Sequence, residues 1–406
     1  MGKINSKNSV RTPNPFFYAI LKVGSWFMST FFFKLKVIKN EAKRAKGPYV
    51  IIQNHESYID FYPTFKALNK TSHIVMSNSF YQTSSIRSAM KKCGVIPKQQ
   101  FQTSITDLKR MKSALEAKRP LVFFPQGLMS EDGISTNVPV ATGKALKWFK
   151  QDVYLAHIKG TYLTSPKWST VKRKGKTTLE ITKLFSKEDL EKLEQEEIEK
   201  IVEEKLYFDA YKNQEKDLIE YKNGDLIEGL HFPLYKCPKC GKEFTMNTSL
   251  NRIYCASCGN EGYADKYGFL HPKTENDVIY KLPSDWSRFI QTELEKEIRE
   301  NDDFTLTDEV KVEKLDYDLH KFTTFGHCKV SMLKDKVILT LLEHDNETKE
   351  FDTRLIYLFP YASGKYFELQ DGLDIYRVHL SNPNEISKWM NTLKVRYRIR
   401  NDIKIK

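Results

Sequence analysis

The sequence predicts an α/β domain that follows an N-terminal apolar segment and precedes a small cysteine-bearing unit and a β-rich C-terminal domain. Three observations predict it. Between residue 46 and about residue 185, apolar runs of strand length alternate with helical stretches. Four of the six cysteines then fall into two Cys-x-x-Cys pairs. Beyond Asp285, one helical stretch gives way to successive strand-like segments and a last helix with one apolar face. A chain of 406 residues suits two to three domains. The boundaries read as 1–45 for a basic and aromatic membrane-association segment, 46–210 for the α/β domain, 211–235 for a linker, 236–272 for the cysteine unit and 285–406 for the β-rich domain.

The N-terminal segment comes first. Phe16 to Phe33 is apolar and aromatic, interrupted by Lys22, with no small-residue cleavage site of a signal peptide. Its length approaches the ~20 residues of a spanning helix. Lys22, Ser25 and Ser29 recur at helical spacing as a narrow polar stripe, while Phe17, Ile20, Leu21, Phe27, Met28 and Phe31 cover the other face. That pattern predicts a helix lying in the membrane interface, on the cytoplasmic face of the cell membrane, peripheral or monotopic. A full span and an ordinary core helix are the competing readings. The formal net charge of +13 favours anionic partners. Lys3, Lys7 and Arg11 precede the segment; Lys34, Lys36, Lys39, Lys43, Arg44 and Lys46 follow it. Lys394, Arg396, Arg398 and Arg400 form a further basic run, and Glu188 to Glu204 is acidic. Met1-Gly2 with Ser6 fits the short myristoylation pattern.

Strand character marks Tyr49–Ile52, His73–Met76, Leu121–Phe124, Val153–His157 and Leu179–Thr182, with helices over Ile105–Ala117 and Ala141–Lys150. Leu190, Leu193, Glu197 and Ile201 belong to a solvated helix. Further on, Trp286–Glu300 is helical. Strands are expected at Lys329–Leu333, Lys336–Leu342, Leu355–Pro360, Tyr366–Leu369 and Leu373–His379. Ile386, Trp389, Met390, Leu393 and Tyr397 form the apolar stripe of the last helix, a pattern that resembles a pleckstrin-homology-like domain.

The most informative stretch is Asn54-His55-Glu56-Ser57-Tyr58-Ile59-Asp60, just past the first buried strand. A helix beginning near Glu56 brings Asp60 one turn under His55. A carboxylate on one ring nitrogen fixes the tautomer and frees the other nitrogen as a general base. Read blandly, the same residues are a polar loop in which Glu56 and Asp60 favour a helix dipole. Gly94-Val95-Ile96-Pro97-Lys98 follows. Then Val122-Phe123-Phe124-Pro125-Gln126-Gly127-Leu128-Met129-Ser130 makes a strand that breaks into a glycine-containing loop. Gly127 there allows close backbone approach and offers an N–H to developing negative charge. A last strand runs from Asp152 into Gly160.

In that order and spacing, residues 15 to 205 resemble the 1-acylglycerol-3-phosphate acyltransferase (glycerolipid or lysophospholipid acyltransferase) family. That family carries Asn-His-x4-Asp, a Gly-x-Ile/Phe segment, Phe-Pro-Glu-Gly-Thr-Arg-Ser and a further apolar strand. Gly160-Thr161-Tyr162-Leu163-Thr164-Ser165-Pro166-Lys167-Trp168 is similar to a bacterial subgroup with a zinc-ribbon insert. The resemblance implies a mixed sheet with helices and direct acyl transfer, with His55 as base and Asp60 orienting it. It also implies that Ser57, Lys98, Pro125, Gln126, Gly127 and Ser130 line the substrate. No Gly-x-Ser-x-Gly elbow is present, and Ser57 is too near His55 in sequence to be assigned as a nucleophile. Two departures stand out: Gln126 where the family has Glu, and Met129 where it has the Arg implied to bind acceptor phosphate. Lys98 or Gln100 stands at the place of another basic residue. Lys92, Lys98 and Arg110 are candidate replacements for the missing phosphate cation.

Cys237-Pro238-Lys239-Cys240 and Cys255-Ala256-Ser257-Cys258, fourteen residues apart, offer four thiolates for tetrahedral structural zinc. Gly241 and Gly259 suit the knuckle turns. The remaining histidines show no ligand spacing; among them His157 alone lies near the ligand end of a strand. The expected function is a membrane-associated O-acyltransferase moving an acyl chain from acyl-CoA or acyl carrier protein to a lysophospholipid hydroxyl. A non-catalytic lipid- or protein-binding scaffold on a degenerate fold is the competing reading. Nucleic acid is disfavoured as a partner by the aromatic N-terminal segment.

Overall fold

The computed structural model describes residues 10–100, 104–222, 224–342 and 347–405. The Met1-Gly2/Ser6 pattern, Lys3, Lys7 and His344 lie outside them. The chain forms two compact units: residues 1–166 with 174–220, and residues 167–173 with 221–406.

The first unit begins with α1 (Pro15–Phe27), extended by a π-helical turn over Met28–Phe32. Its start is written locally: Asn14 accepts from the Phe16 and Phe17 N–H groups, and Pro15 opens the helix. There follow β1 (Lys36–Asn40), β2 (Val50–Gln53), α2 (Phe61–Ala67), β3 (His73–Ser77), α3 (Asn78–Thr83), α4 (Arg87–Lys92) and β4 (Ile96–Lys98). Next come α5 (Ile105–Glu116), β5 (Leu121–Phe123), α6 (Ala141–Phe149), β6 (Val153–Lys159), α7 (Thr161–Thr164) and β7 (Thr178–Phe185). Helices α8 (Lys187–Lys192), α9 (Gln195–Leu206) and α10 (Ala210–Asp217) close the unit. The seven-stranded sheet has the order β1-β7-β6-β2-β5-β3-β4. Strands β6, β2, β5, β3 and β4 are mutually parallel, and β7 pairs antiparallel with β6, so the sheet is mixed.

The central strands read as unbroken apolar runs because both faces are covered. Val50 and Ile52 of β2 join Leu121, Phe123, Val153 and Leu155 in one core layer. Ile51 joins Val122, Tyr154 and Ala156 in the other. Edge strand β1 was invisible to pattern reading because lysines flank its two apolar residues and most of the strand is exposed.

Helix α1 packs against α2 with its polar stripe inward. Ser25 and Ser29 are buried, and Lys22 Nζ donates to the Phe65 and Leu68 carbonyls at the end of α2, at 2.6 and 2.5 Å. Burial lowers the pKa of Lys22. Phe16, Ile20, Val23, Trp26, Phe27 and Phe31 face outward, with Phe16 69% and Trp26 51% exposed. Among the described residues no helix is long and apolar enough to cross a membrane.

The second unit holds a four-stranded antiparallel sheet of β8 (Met246–Ser249), β9 (Arg252–Cys255), β10 (Glu261–Ala264) and β11 (Leu270–Pro272). After α11 (Pro283–Glu300) come β12 (Leu306–Asp316), β13 (Lys321–Met332), β14 (Lys336–Leu341), β15 (Thr348–Asp352), β16 (Tyr361–Ala362), β17 (Tyr366–Asp371) and β18 (Asp374–His379). These seven strands form an antiparallel half-barrel of order β15-β14-β13-β12-β18-β17-β16, resembling pleckstrin-homology-like domains. The last helix, α12 (Ile386–Arg400), lays Trp389 on Phe367 of β17 with ring centroids 5.7 Å apart.

Three features differ from the sequence pattern. Leu355–Pro360 is not a strand: Leu355 is 93% exposed, while Leu358 and Phe359 fill core space without joining a ladder. Strand β12 went unread because its apolar Val310, Val312 and Leu315 are scattered among charges. The basic run of α12 is not a free anionic-partner surface. Arg396 donates to the carbonyls of Met332, Leu333 and Phe304, and Arg398 donates to Gln291 Oε1. Both guanidiniums act as internal braces, and burial brings the pKa of Arg396 down to about 10.

Candidate active site and four-cysteine centre

Strands β6, β2 and β5 are adjacent and parallel, with β6 running on to Lys159 past the end of β2, and the carboxyl ends of parallel strands are where such sheets place ligands. Asn54 follows β2 directly. Its side chain accepts from the Ile158 N–H and donates to the Ile158 carbonyl, both at 2.8 Å, so it continues the ladder to β6 by one step. His55 comes next. Its Nδ1 lies 2.9 Å from Asp60 Oδ2, and that oxygen also accepts from the Ser57 N–H at 2.8 Å. An ionised carboxylate only accepts, so Nδ1 carries the proton and Nε2 keeps a lone pair. The His55 side chain is 19% exposed while Asp60 is fully buried, which leaves Nε2 as the available basic nitrogen. The ring stacks on Phe124, with centroids 4.3 Å apart.

The geometry is reached differently from the helical turn that spacing predicts. Residues 54–57 are irregular, 58–60 turn, and α2 begins only at Phe61. Asp60 stands at the α2 N-cap without capping it: Oδ2 is held by His55 and the Ser57 N–H, and the buried Oδ1 has no partner. Gln53, buried at the end of β2, donates to the Asp60 carbonyl at 3.0 Å and accepts from Thr64 Oγ1 at 2.6 Å. A buried glutamine closing an apolar strand was the available signal for this brace, and sequence reading passed over it.

The loop after β5 holds the other side. Gln126 is buried: Oε1 accepts from the His55 N–H at 2.9 Å, and Nε2 donates to Ser135 Oγ and the Thr136 carbonyl. The Ser130 N–H donates to the His55 carbonyl at 3.3 Å. Pro125, Met129 and Ser130 are buried. Gly127 has φ +70°, but its N–H donates to the Phe124 carbonyl at 3.1 Å and is not the free donor expected for developing negative charge. Gln100 Nε2 donates to the Gly127 carbonyl at 2.6 Å and Gln100 Oε1 accepts from Ser77 Oγ, tying the ends of β3 and β4 to this loop. Ser57 Oγ donates to the Ser165 carbonyl at 2.6 Å. Of the candidate cations, Lys92 lies over the Phe17 ring and Arg110 pairs with Asp107. Lys98 Nζ donates to the Gln99 carbonyl, and burial lowers its pKa, against the pull of Asp107. His157 is half-buried on β6, and its pKa is brought down to about 4, by burial first.

The family model described as Acyltransferase matches residues 34–169. This stretch is an acyltransferase domain. Among solved structures, the chain is similar to the 1-acyl-sn-glycerophosphate (LPA) acyltransferase PlsC from Thermotoga maritima, at 16% identity over 47% of this chain and 78% of that one, with a TM-score of 0.39. It is also similar to the Ran binding domain of Nup2 from Ashbya gossypii (10% identity, 26% of this chain, 100% of that one, TM-score 0.20) and to an activated truncation of Vav1 (12%, 29%, 38%, TM-score 0.19). No curated protein matches the chain.

Apart from the acyltransferase domain, Cys237, Cys240, Cys255 and Cys258 bring their sulfurs within 4.8 Å of one another. The Cys237–Cys258 and Cys240–Cys255 sulfurs are each 3.8 Å apart. Bonds of zinc–thiolate length in a tetrahedron give sulfur–sulfur edges of roughly 3.8 Å, so the four thiols fit an ion such as zinc. The knuckle glycines Gly241 and Gly259 both have φ +72°, and their N–H groups close turns on the Cys237 and Cys255 carbonyls. Outside the ligand set, Asn260 Nδ2 donates to Cys237 Sγ at 3.7 Å and Thr245 Oγ1 lies 3.2 Å from Cys255 Sγ.

Glu56 is the site residue whose surroundings sequence reading missed. It lies apart from the α2 N-terminus and is fully buried against the first turn of α7. Its Oε2 accepts from Thr161 Oγ1 and the Tyr162 N–H, both at 3.0 Å, while Oε1 has no partner. Burial, then the Asp60 charge, pushes its pKa from 4.5 up to about 8, against the hydrogen bonds from Tyr162 and Thr161. Between those values the unfolded chain releases a proton that the folded chain keeps. This group's contribution is therefore full below pH 4.5 and declines as pH rises toward about 8, by at most ~1.4 kcal/mol per pH unit. Glu56→Gln removes that decline. In urea unfolding, its stability relative to the parent chain should grow from pH 5 to pH 8; a constant difference across that range would contradict the assignment.

Proposed function

We propose that the acyltransferase domain moves an acyl chain from an acyl-CoA or acyl-carrier-protein thioester onto the hydroxyl of a lysophospholipid such as 1-acyl-glycerol-3-phosphate. The observation that carries this reading is the 2.9 Å contact of His55 Nδ1 with the buried Asp60 carboxylate, which leaves Nε2 as the base. In the proposed step, Nε2 takes the acceptor's hydroxyl proton as that oxygen bonds to the thioester carbonyl carbon. The tetrahedral intermediate collapses to the ester, the carbon–sulfur bond breaks, and the imidazolium proton passes to the departing thiolate. Asp60 steadies the imidazolium through this cycle. Transfer without an acyl-serine is supported by Ser57, whose hydroxyl is spent on the Ser165 carbonyl.

The reaction is placed at a membrane surface, with the chain bound peripherally or monotopically at the cytoplasmic face. Support comes from α1, which turns Tyr18, Ser25 and Lys22 inward and leaves Phe16, Ile20, Val23, Trp26 and Phe27 exposed as one apolar face. Helix α2 begins one residue after the dyad's Asp60 and packs on α1, so an acceptor held in the bilayer surface has a short path to His55. The cysteine centre is read as a structural zinc site: four protein thiolates fill a tetrahedral shell and leave no place for a reactive water.

Purified protein given acyl thioester and a panel of lysolipids tests the chemistry. Thiol release should require an acceptor and fall on the order of 10³-fold in His55→Ala with folding intact; unchanged turnover would sink the proposal. Replacing Trp26, Phe27 and Phe31 with serine should weaken sedimentation with anionic vesicles by about tenfold or more; undiminished sedimentation would count against the anchor. Metal analysis should find about one zinc per chain, and chelation should lower the melting temperature; a zinc-free, equally stable preparation would refute the site.

A further inference from the structure

We propose that Glu56 is a positioning residue whose carboxyl locks the base-bearing loop, residues 54–60, onto the turn that follows β6. The proposal rests on the reading of His55 as the base. Three contacts hold that loop to the segment 158–165: Asn54 on Ile158, Glu56 on Thr161 and Tyr162, and Ser57 on the Ser165 carbonyl. The outer two involve short neutral side chains. The central one is a fully buried carboxyl that receives two donors on one oxygen, immediately after His55 in the chain.

A carboxyl at this place is demanding, because burying an unpaired charge is costly and Asp60 already carries one on the same loop. The groups facing it set its state. From its own loop come Asp60 and His55. From α7 come the Thr161 hydroxyl and N–H and the Tyr162 N–H, all neutral donors, and the Tyr162 phenol is directed to the Glu131 carbonyl at 2.8 Å. No cation neutralises it from α7, whose four residues carry no charge. Burial therefore favours the neutral acid, in line with the upward displacement of its titration. With Oε2 receiving the Thr161 hydroxyl and the Tyr162 N–H, the acid proton belongs on Oε1. Glu56 then ties the loop down without placing a second negative charge beside the His55–Asp60 pair. Loss of this tie frees the loop on the side away from Gln126, and His55 drifts from the attacking oxygen.

The test compares Glu56→Gln, Glu56→Ala and Thr161→Val in two assays: acyl transfer from a thioester across pH 6 to 9, and the downfield Nδ1 proton resonance of His55. The expected result is a fall of about threefold for the glutamine variant at pH 7, with the parent's rate change near pH 8 removed. The alanine variant should fall on the order of 10²-fold in kcat with little change in KM for the thioester, and its His55 resonance should broaden or vanish. Thr161→Val, which removes one donor, should fall by about tenfold. Parent-like rate and resonance in Glu56→Ala would overturn the proposal. So would a glutamine variant as impaired as alanine, since charge would then be what matters. If Glu56→Ala fails to fold, parent-like rate and resonance in Thr161→Val overturn it instead. If the parent chain transfers to no acceptor, the function proposed above fails, and the His55 resonance alone decides on Glu56.

Discussion

The hydrogen bond between His55 and Asp60 is the constraint around which the acyltransferase domain is arranged. Asp60 is fully buried, and a buried carboxylate must be satisfied or it destabilises the fold. The chain answers with the Ser57 N–H and the His55 ring on Oδ2, while the buried Oδ1 has no partner. Everything nearby keeps that arrangement still. Gln53 holds the Asp60 carbonyl, Gln126 holds the His55 N–H, Asn54 extends the β2–β6 ladder, and Phe124 supports the ring's face. The site stands on three parallel strands whose interior residues are packed on both faces, so the loop rests on a rigid base.

Charge and apolar surface are distributed with a similar logic. The net charge of +13 suggests anionic partners, yet part of it serves inside the protein. Arg396 and Arg398 brace the half-barrel from α12, and Lys22 caps α2 from α1. On α1, Ser25 and Tyr18 turn inward while Phe16, Trp26 and Phe27 are exposed. For a helix in water this exposes apolar area at about 25 cal/mol per Å²; at a bilayer surface the same area is stabilising. The exposed apolar face of α1 is accounted for by the membrane association proposed above.

Much of this was legible in the sequence where residue type and spacing have a single physical meaning. Apolar runs marked the central strands, two Cys-x-x-Cys pairs marked the cysteine cluster, and His55 with Asp60 marked the dyad. What escaped was decided by tertiary context. A five-residue spacing says nothing of whether a helix or a tight loop closes it, and here a loop does. Gln126 looks like a substrate group by its place after Pro125, but its side chain is spent on the His55 N–H. Glu56 looks like a dipole residue until β6 delivers Thr161 and Tyr162 to it. Strands β1 and β12 carry charges on their open faces, which masks the two-residue period. Leu355–Pro360 shows the converse: an apolar run can fill a core without pairing.

The dyad reading turns on one carboxylate keeping the proton on Nδ1 of His55. The most direct measurement is the acyl-transfer rate of Asp60→Asn together with ¹⁵N shifts of the His55 ring. An amide at this position can donate to Nδ1, which moves the ring proton to Nε2 and removes the base. The account predicts that tautomer change, with a rate lower on the order of 10³- to 10⁴-fold and a fold that persists. A folded Asp60→Asn protein that transfers acyl groups at the parent rate would contradict it.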